Sequence, residues 1–184
     1  MHEEVIFAGF GGQGVLLMGQ LVTYAGMMEG RNVTWMPSYG PEMRGGTANC
    51  GVVVSEREIA SPLVSEPTSV VAMNRPSLEK FQGMVSPGGL IIYNSSLVDV
   101  KPARNDVRVL AVPANEIAND IGDTRVANMV ALGAYLGVTG VVSVDTVLEA
   151  MKKVLPERRH GLIPLNEKAL AKGMGLAAAA LKAG

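Results

Sequence analysis

Short apolar runs and one amphipathic segment open the chain. Residues 5–8 (Val-Ile-Phe-Ala) form an uninterrupted apolar run that stops at Gly9, which is typical of a buried parallel strand. After a glycine-rich turn, apolar residues recur at helical spacing from residue 15 to residue 28, and Gly30 suits the end of that helix. Residues 32–36 then predict a second strand. The order strand, turn, helix, strand predicts a right-handed crossover in a parallel sheet.

The rest of the pattern predicts further strands and then helices. Residues 47–54 are rich in β-formers, and the polar residues 55–58 predict a turn back through Ile59 as an antiparallel hairpin. Other strands are predicted at 69–73, 90–93 and 107–112, a short helix that residues 74–76 open and that runs through residue 81, and longer helices at 115–121, 126–136, 144–154 and 165–181. The sequence therefore predicts one α/β domain over residues 1–184. We expect a Rossmann-like three-layer fold with a mostly parallel sheet, an antiparallel hairpin insertion and a helical C-terminal third.

Composition narrows the classes of function. Hydrophobic residues make up 48% of the 184 residues and charged residues 18%, which predicts a folded core. The formal net charge of -1 gives no basis for binding nucleic acid or an anionic membrane surface. With Cys50 as the single cysteine and only two histidines, we expect no internal disulfide, no iron–sulfur cluster and no metal site on this chain. No apolar run approaches the roughly 20 residues that span a bilayer, and the chain does not open on a secretory signal. We therefore expect a soluble, cytoplasmic protein.

The turn at residues 9–14 (Gly-Phe-Gly-Gly-Gln-Gly) matches the G-x-G-x-x-G pattern between a strand and a helix. Glycines allow a tight turn, and free N–H groups at the helix start can hold an anion. Dinucleotide binding also needs an acidic residue at the end of the second strand, but that strand ends in Met36-Pro37, so an NAD site is disfavoured. Two interpretations stay open. The turn only packs the helix on the strand, or it makes an anion or subunit contact through Gly11, Gly12, Gln13 and Gly14.

The loop at residues 37–46 is the second candidate site. Its prolines restrict the backbone, and Arg44 offers a planar cationic fork for a carboxylate or phosphate. The alternative is a surface loop in which Arg44 pairs with Glu42. We expect the loop near the glycine turn, because both leave adjacent parallel strands at the same end. The candidate interface or ligand residues are Ser38, Tyr39, Gly40, Pro41, Glu42, Arg44, Gly45 and Gly46.

These two stretches together carry a resemblance to a known family. The strings Gly-Gly-Gln-Gly at residues 11–14 and Tyr-Gly-Pro-Glu-Met-Arg-Gly-Gly at 39–46 resemble the gamma subunit of 2-oxoacid:ferredoxin oxidoreductases. That family includes the pyruvate, ketoisovalerate and 2-oxoglutarate ferredoxin oxidoreductases. The resemblance continues in the same order through residues 69–73, 88–93, 127–134 and 166–173, which is nearly the whole chain.

The resemblance implies a subunit of an enzyme that oxidatively decarboxylates a 2-oxoacid with coenzyme A, giving acyl-CoA, carbon dioxide and reduced ferredoxin. It implies that alpha, beta and ferredoxin-like delta partner subunits hold thiamine diphosphate, Mg²⁺ and the iron–sulfur clusters. No catalytic residue is then expected on this chain, and the isolated chain is expected to be inactive. The family's association of this domain with coenzyme A points to the residues from Gly11 to Gly14. The 2-oxoacid is implied to be 2-oxoglutarate or a branched-chain acid rather than pyruvate.

Other interpretations of the residues stay open beside the resemblance. The chain could be a free-standing nicotinamide oxidoreductase, against which the missing acid speaks, or a stand-alone module that binds CoA or another phosphate compound. The apolar fraction and eleven methionines predict self-association of the isolated chain. Cys50 is predicted to be a core residue, and Asn128 either a buried hydrogen-bonded residue or an interface residue. Residues 157–160 are predicted to form a solvated face, with a basic contact to ferredoxin or the CoA phosphates as the alternative.

Overall fold

A computed structural model describes residues 1–38 and 46–183 of the chain. Within them, six strands form one sheet with the order β2-β3-β1-β4-β5-β6. Strands β1, β4, β5 and β6 run parallel, whereas β3 is antiparallel to both of its neighbours, β1 and β2. The strands are β1 His2–Phe10, β2 Asn32–Ser38, β3 Thr47–Ser55, β4 Ser69–Ala72, β5 Leu90–Asn94 and β6 Arg108–Val112.

In the described ranges, six α-helices flank the sheet, and their positions follow the apolar periodicity of the sequence. They are α1 Val15–Met28, α2 Arg75–Phe81, α3 Ala114–Ile121, α4 Ala127–Thr139, α5 Val144–Val154 and α6 Ile163–Ala183. Short 3-10 turns occupy Gln82–Met84, Thr124–Val126 and Glu157–Leu162. Every helix predicted from the sequence is present, with ends that differ by a few residues.

The strands bury alternate side chains in two separate cores. Phe7 of β1 and Ile92 of β5 pack on one face of the sheet against α1, α3, α4, α5 and α6. Ile6 of β1 and Ile91 of β5 pack on the other face, against Leu78 and the rest of α2. The three-layer α/β fold with a mostly parallel sheet and a helical C-terminal third is therefore confirmed. Within the described residues, no helix combines the length and the apolar character needed to cross a bilayer.

The prediction for the antiparallel hairpin was wrong in its position. The hairpin does not turn back through Ile59; it consists of β2 and β3, and β3 ends at Ser55. All nine residues of β3 pair with β1 on one side, from His2 opposite Ser55 to Phe10 opposite Thr47. Because β2 occupies the other side, neither edge of β3 is left for a strand after Ser55.

The same pairing corrects the expectation that β1 and β2 are adjacent. β3 lies between them, so β2 forms the edge of the sheet and is parallel to β1 in direction without being bonded to it. The ends of β1 and β2 still point to the same edge of the sheet, which we call the carboxyl edge. The residues that could form a site lie along this edge.

Candidate functional site

The glycine turn joins β1 to α1 at the carboxyl edge. Gly12 and Gly14 have φ angles of 95° and 72°, in the left-handed region that other residues rarely adopt. Gly14 is also the N-cap of α1, without a side chain to satisfy the first N–H groups of the helix. The Gly11 N–H donates to the carbonyl of Gly46 at 2.9 Å, which ties the turn to the start of β3. The first turn of α1 therefore offers backbone donors, as the sequence pattern predicts.

The side chain of Gln13 points back into the protein. Its Oε1 accepts a hydrogen bond from the Phe10 N–H at 2.7 Å, and its Nε2 donates to the carbonyl of Met73 at 3.2 Å. Asn74 donates to the same Oε1 at 3.4 Å. Gln13 thus bridges the ends of β1 and β4, and its amide is used inside the chain.

Asparagines extend this polar layer along the carboxyl edge, and sequence reasoning had not assigned them to the site. Asn94, which ends β5, donates from Nδ2 to Asn115 Oδ1 at 2.7 Å, and its own Oδ1 accepts from the Ala114 N–H at 3.2 Å. Asn74 caps α2 by accepting from the Ser77 N–H at 2.9 Å. The signal in the sequence was an Asn directly after each of two apolar strands, where a polar residue meets the edge rather than the core.

Asn128 holds the turn from the side of α4. It is buried, and its Nδ2 donates to the Gly14 carbonyl at 3.3 Å. A Cβ at Gly14 would lie 2.9 Å from Asn128 Cγ, closer than real Cβ contacts allow. Asn128 is therefore a buried, hydrogen-bonded residue, as one of the two predictions for it stated.

Among the described residues, three cavities meet at Gly12, one on the crevice side of the turn and two on its outer side. One of about 240 Å³ is polar and reaches Gln13, Asn115 and Asn128. Another, of about 320 Å³, runs past Leu17 to Leu155, Leu162 and Arg159. The third, of about 420 Å³, is lined by Phe10, Leu16, Leu17, Ser38, Thr47 and Arg159. We call the second and third cavities together the outer groove; Leu17 and Arg159 line both parts of it.

The outer groove combines apolar walls with the cationic Arg159 and the ion pair between Arg125 and Asp123. The Arg125 side chain lies at one end, paired with Asp123 at 2.7 Å. Hydrogen bonds from Arg125 lower the pKa of Asp123 to about 2, so both side chains of this pair stay charged. Arg159 forms no ion pair with any residue in the described part of the chain. The groove therefore suits a ligand or partner segment that carries both apolar and anionic groups.

The predicted site residues separate into two groups. Gly11, Gly12 and Gly14 line the third cavity together with Ser38, and Gly46 contacts Gly11, so the ends of the second candidate loop do lie beside the glycine turn. Tyr39, Gly40, Pro41, Glu42, Arg44 and Gly45 lie outside the described residues. Residues 157–159 are exposed, as the predicted solvated face requires, and Arg159 also lines the outer groove.

The geometry also bears on the nicotinamide alternative. In dinucleotide-binding folds the second strand lies next to the first and presents an acidic residue to the ribose. Here the antiparallel β3 lies in that position, and β2 ends in Pro37 and Ser38. Among the described residues, no group of three or more His, Cys, Asp or Glu side chains could hold a metal ion.

Cys50 is fully buried in the core between β3 and α1, as predicted. Burial raises the pKa of the Cys50 thiol to about 12. Because the thiolate is the reactive form, only about one thiol in ten thousand is ionised at pH 8. We expect the native chain to resist alkylation by iodoacetamide at pH 8 and the chain unfolded in guanidinium to react fully. Mass spectrometry of the intact chain measures the adduct, and rapid labelling of the native chain would contradict the burial.

Comparison with known proteins agrees with this fold and these motifs. The sequence profile of the family described as "Pyruvate ferredoxin/flavodoxin oxidoreductase" matches residues 4–176. Ketoisovalerate oxidoreductase subunit VorA of Methanothermobacter marburgensis is 48% identical over 140 residues, which are 75% of this chain and 29% of that protein. The 2-oxoglutarate synthase subunit KorC of the same organism is 38% identical over 164 residues, 85% of this chain and 88% of that protein.

A solved structure is similar over nearly its whole length. The gamma subunit of a keto/oxoacid ferredoxin oxidoreductase from Geobacter sulfurreducens superposes with a TM-score of 0.81 at 32% identity, covering 96% of this chain and 99% of that one. By contrast, the chain spans about a third of the two VorA proteins it matches, 29% and 35% of their lengths. The chain belongs to the pyruvate ferredoxin/flavodoxin oxidoreductase family.

Proposed function

We propose that this chain is the gamma-type subunit of a thiamine diphosphate-dependent 2-oxoacid:ferredoxin oxidoreductase. The assembled enzyme would convert a 2-oxoacid, CoA and oxidised ferredoxin to acyl-CoA, carbon dioxide and reduced ferredoxin. The observation that carries the proposal is the end-to-end similarity to separate subunits, 88% of KorC and 99% of the Geobacter gamma subunit. On the same basis we propose that residues 1–184 form a single gamma-type domain.

In this proposal the chain supports the chemistry without performing it. Alpha, beta and ferredoxin-like delta subunits in the cytoplasm would hold thiamine diphosphate, Mg²⁺ and the iron–sulfur clusters and pass electrons to ferredoxin. This chain would contribute a subunit interface and a contact to CoA at the glycine turn. CoA supplies the thiol that accepts the acyl group. The outer groove fits that ligand chemically, because CoA joins a long uncharged arm to charged phosphates. Arg159 and the N–H groups at the start of α1 are donors for phosphate.

The proposed substrate is a branched-chain 2-oxoacid, with 2-oxoglutarate as the second choice. Identity is higher to the ketoisovalerate protein than to the 2-oxoglutarate protein, at 48% against 38%. The reacting carbon would sit in the partner subunits, so this chain reports its substrate only through its relatives. Assays of the native complex with 2-oxoisovalerate, 2-oxoglutarate and pyruvate decide among the three.

The isolated chain is expected to have no 2-oxoacid oxidation activity. Purified chain, with thiamine diphosphate, Mg²⁺, CoA, ferredoxin and each of the three 2-oxoacids, should leave ferredoxin oxidised, as followed by its visible absorbance. Addition of the chain to its alpha, beta and delta partners should raise CoA-dependent ferredoxin reduction by at least about a hundredfold, the size of effect that correct positioning of reactants gives.

Two results would contradict this proposal. One is ferredoxin reduction by the chain alone. The other is full activity of a complex from which the chain is missing. A stand-alone CoA-binding module would show calorimetric binding of CoA to the chain with no copurifying partner, and a nicotinamide enzyme would enhance NADH fluorescence on binding.

We also propose that the chain self-associates when it is separated from its partners. Several large apolar side chains are exposed, among them Met27 on α1 at 54% and Met36 on β2 at 43%. Exposed apolar surface of this kind tends to pair. Light scattering should show a mass above 19.3 kDa that rises with concentration, and a constant monomer mass would contradict the proposal.

A further inference from the structure

Gln13 occupies the crevice where open α/β folds usually bind ligands. β1 and β4 are neighbouring parallel strands, yet α1 packs on one face of the sheet and α2 on the other. Ligands in such sheets bind at this switch point, in the crevice outside the carboxyl ends of the strands. Here the Gln13 amide crosses the crevice from the Phe10 N–H to the Met73 carbonyl.

Only an amide matches both partners. The Phe10 N–H requires an acceptor, and the Met73 carbonyl requires a donor, so a carboxylate satisfies only the first and a thioether neither. Gly9 leaves room for this arrangement, because a Cβ there would lie 2.7 Å from Gln13 Oε1 and 3.0 Å from Met73 Cβ. Gly9 and Gln13 are therefore matched to each other across the turn.

Of the three cavities at Gly12, the Gln13 side chain borders only the one of about 240 Å³ on the crevice side, where Met73 and Asn128 also lie. Gln13 lines neither part of the outer groove, whereas Gly12 lines both, and the left-handed Gly12 and Gly14 direct the chain into α1 beside Leu17 and Arg159. We propose that Gln13 is a positioning residue, which never touches CoA but holds the glycine turn so that the outer groove receives it. This inference rests on the proposed function and adds that Gln13 acts on CoA binding only through the glycine turn.

The first test measures the turn itself in the full-length chain. Gln13→Glu removes the donor to Met73 while it keeps an acceptor for Phe10, and Gln13→Met removes both. Gln20→Glu and Gln20→Met are the controls, since Gln20 lies on the following helix α1, half-buried, and its side chain forms no hydrogen bond within the described part of the chain. Amide hydrogen exchange by mass spectrometry on peptides covering residues 8–17 should accelerate roughly 30-fold in Gln13→Met, the equivalent of two net hydrogen bonds. Gln13→Glu should show a smaller increase, and the Gln20 variants none.

The second test uses the reconstituted complex. Loss of a positioning residue should raise the KM for CoA about tenfold while kcat stays within about twofold, because the acyl-forming groups lie elsewhere. Gln13→Glu should lie between Gln13→Met and wild type. An unchanged KM for CoA in Gln13→Met, or equal effects of the Gln13 and Gln20 variants, would overturn the inference. So would weakened subunit association with an unchanged KM.

The two tests separate the inference from the proposed function. If the wild-type complex oxidises no 2-oxoacid, the proposed function fails, while hydrogen exchange still decides whether Gln13 holds the turn. Unchanged exchange in Gln13→Met would overturn the inference even in a fully active complex.

Discussion

Gly173→Ala and Gly133→Ala should each lower the unfolding temperature by roughly 6–12 °C, corresponding to about 3 kcal/mol for a chain of this size. The two glycines lie where α4 and α6 pack backbone to backbone. A Cβ at Gly133 would fall on the Leu170 carbonyl, and a Cβ at Gly173 would fall on the Val130 carbonyl and lie 2.7 Å from the Ala134 nitrogen. Because backbone atoms cannot turn away as a flexible side chain can, the helices must separate.

Gly175→Ala is the matched control for this prediction. Gly175 lies on the same helix and is exposed, and nothing lies within 4 Å of a Cβ built on it. Replacement of a helical glycine by alanine at such a position stabilises by up to about 1 kcal/mol. Differential scanning calorimetry should therefore show opposite signs for Gly175→Ala and Gly173→Ala. Equal unfolding temperatures for these two variants would show that α4 and α6 are not in close contact.

The sequence predicted where the strands and helices lie along the chain better than it predicted which strands pair with each other in the sheet. Apolar runs such as 5–8 and 90–93 identify strands because burial on both faces leaves no polar position in them. The place of β3 between β1 and β2 depends on pairing between residues 37 to 53 positions apart, from Phe10 opposite Thr47 to His2 opposite Ser55. Nothing local encodes that pairing, so the prediction placed the hairpin one strand too late.

The same holds for the candidate site: local sequence patterns predicted the turn, but not the distant residues that it contacts. The glycine spacing correctly predicted a turn at the start of a helix, with positive φ at Gly12 and Gly14. The glycine spacing could not show that the Gln13 side chain turns inward, because its hydrogen-bond partners Met73 and Asn74 lie 60 and 61 residues away in the sequence. The sequence offered residues 157–160 as a basic contact, but for the same reason it could not place Arg159 beside the glycine turn. Arg159 lies far from α1 in the sequence and comes close to it only because the last two helices, α5 and α6, pack as they do.

Gly14→Ala should destabilise the chain by about 2–5 kcal/mol, the sum of two separate effects. The left-handed backbone at φ 72° costs about 1–2 kcal/mol for a residue with a Cβ. The added methyl would also overlap the buried Asn128 amide, and overpacking of this kind costs typically about 1–3 kcal/mol. Gly12→Ala isolates the first effect, because Gly12 has φ 95° and no atom within 4 Å of a built Cβ. Chemical denaturation should therefore rank Gly14→Ala below Gly12→Ala, and both below wild type.

A double-mutant cycle with Asn128→Ala tests the second effect. Asn128→Ala alone should destabilise by about 0.5–1.5 kcal/mol, since it removes one of the two hydrogen bonds that the Gly14 carbonyl accepts, the other coming from the Met18 N–H. In the Gly14→Ala background the same substitution removes the side chain that the new methyl would strike. The double variant should then be more stable than the sum of the single changes predicts, by about 1–3 kcal/mol of coupling. Strict additivity would mean that Gly14 and Asn128 are not in contact. The contact between the glycine turn and α4 would then be contradicted. Equal stabilities of Gly14→Ala and Gly12→Ala would lead to the same conclusion by an independent measurement.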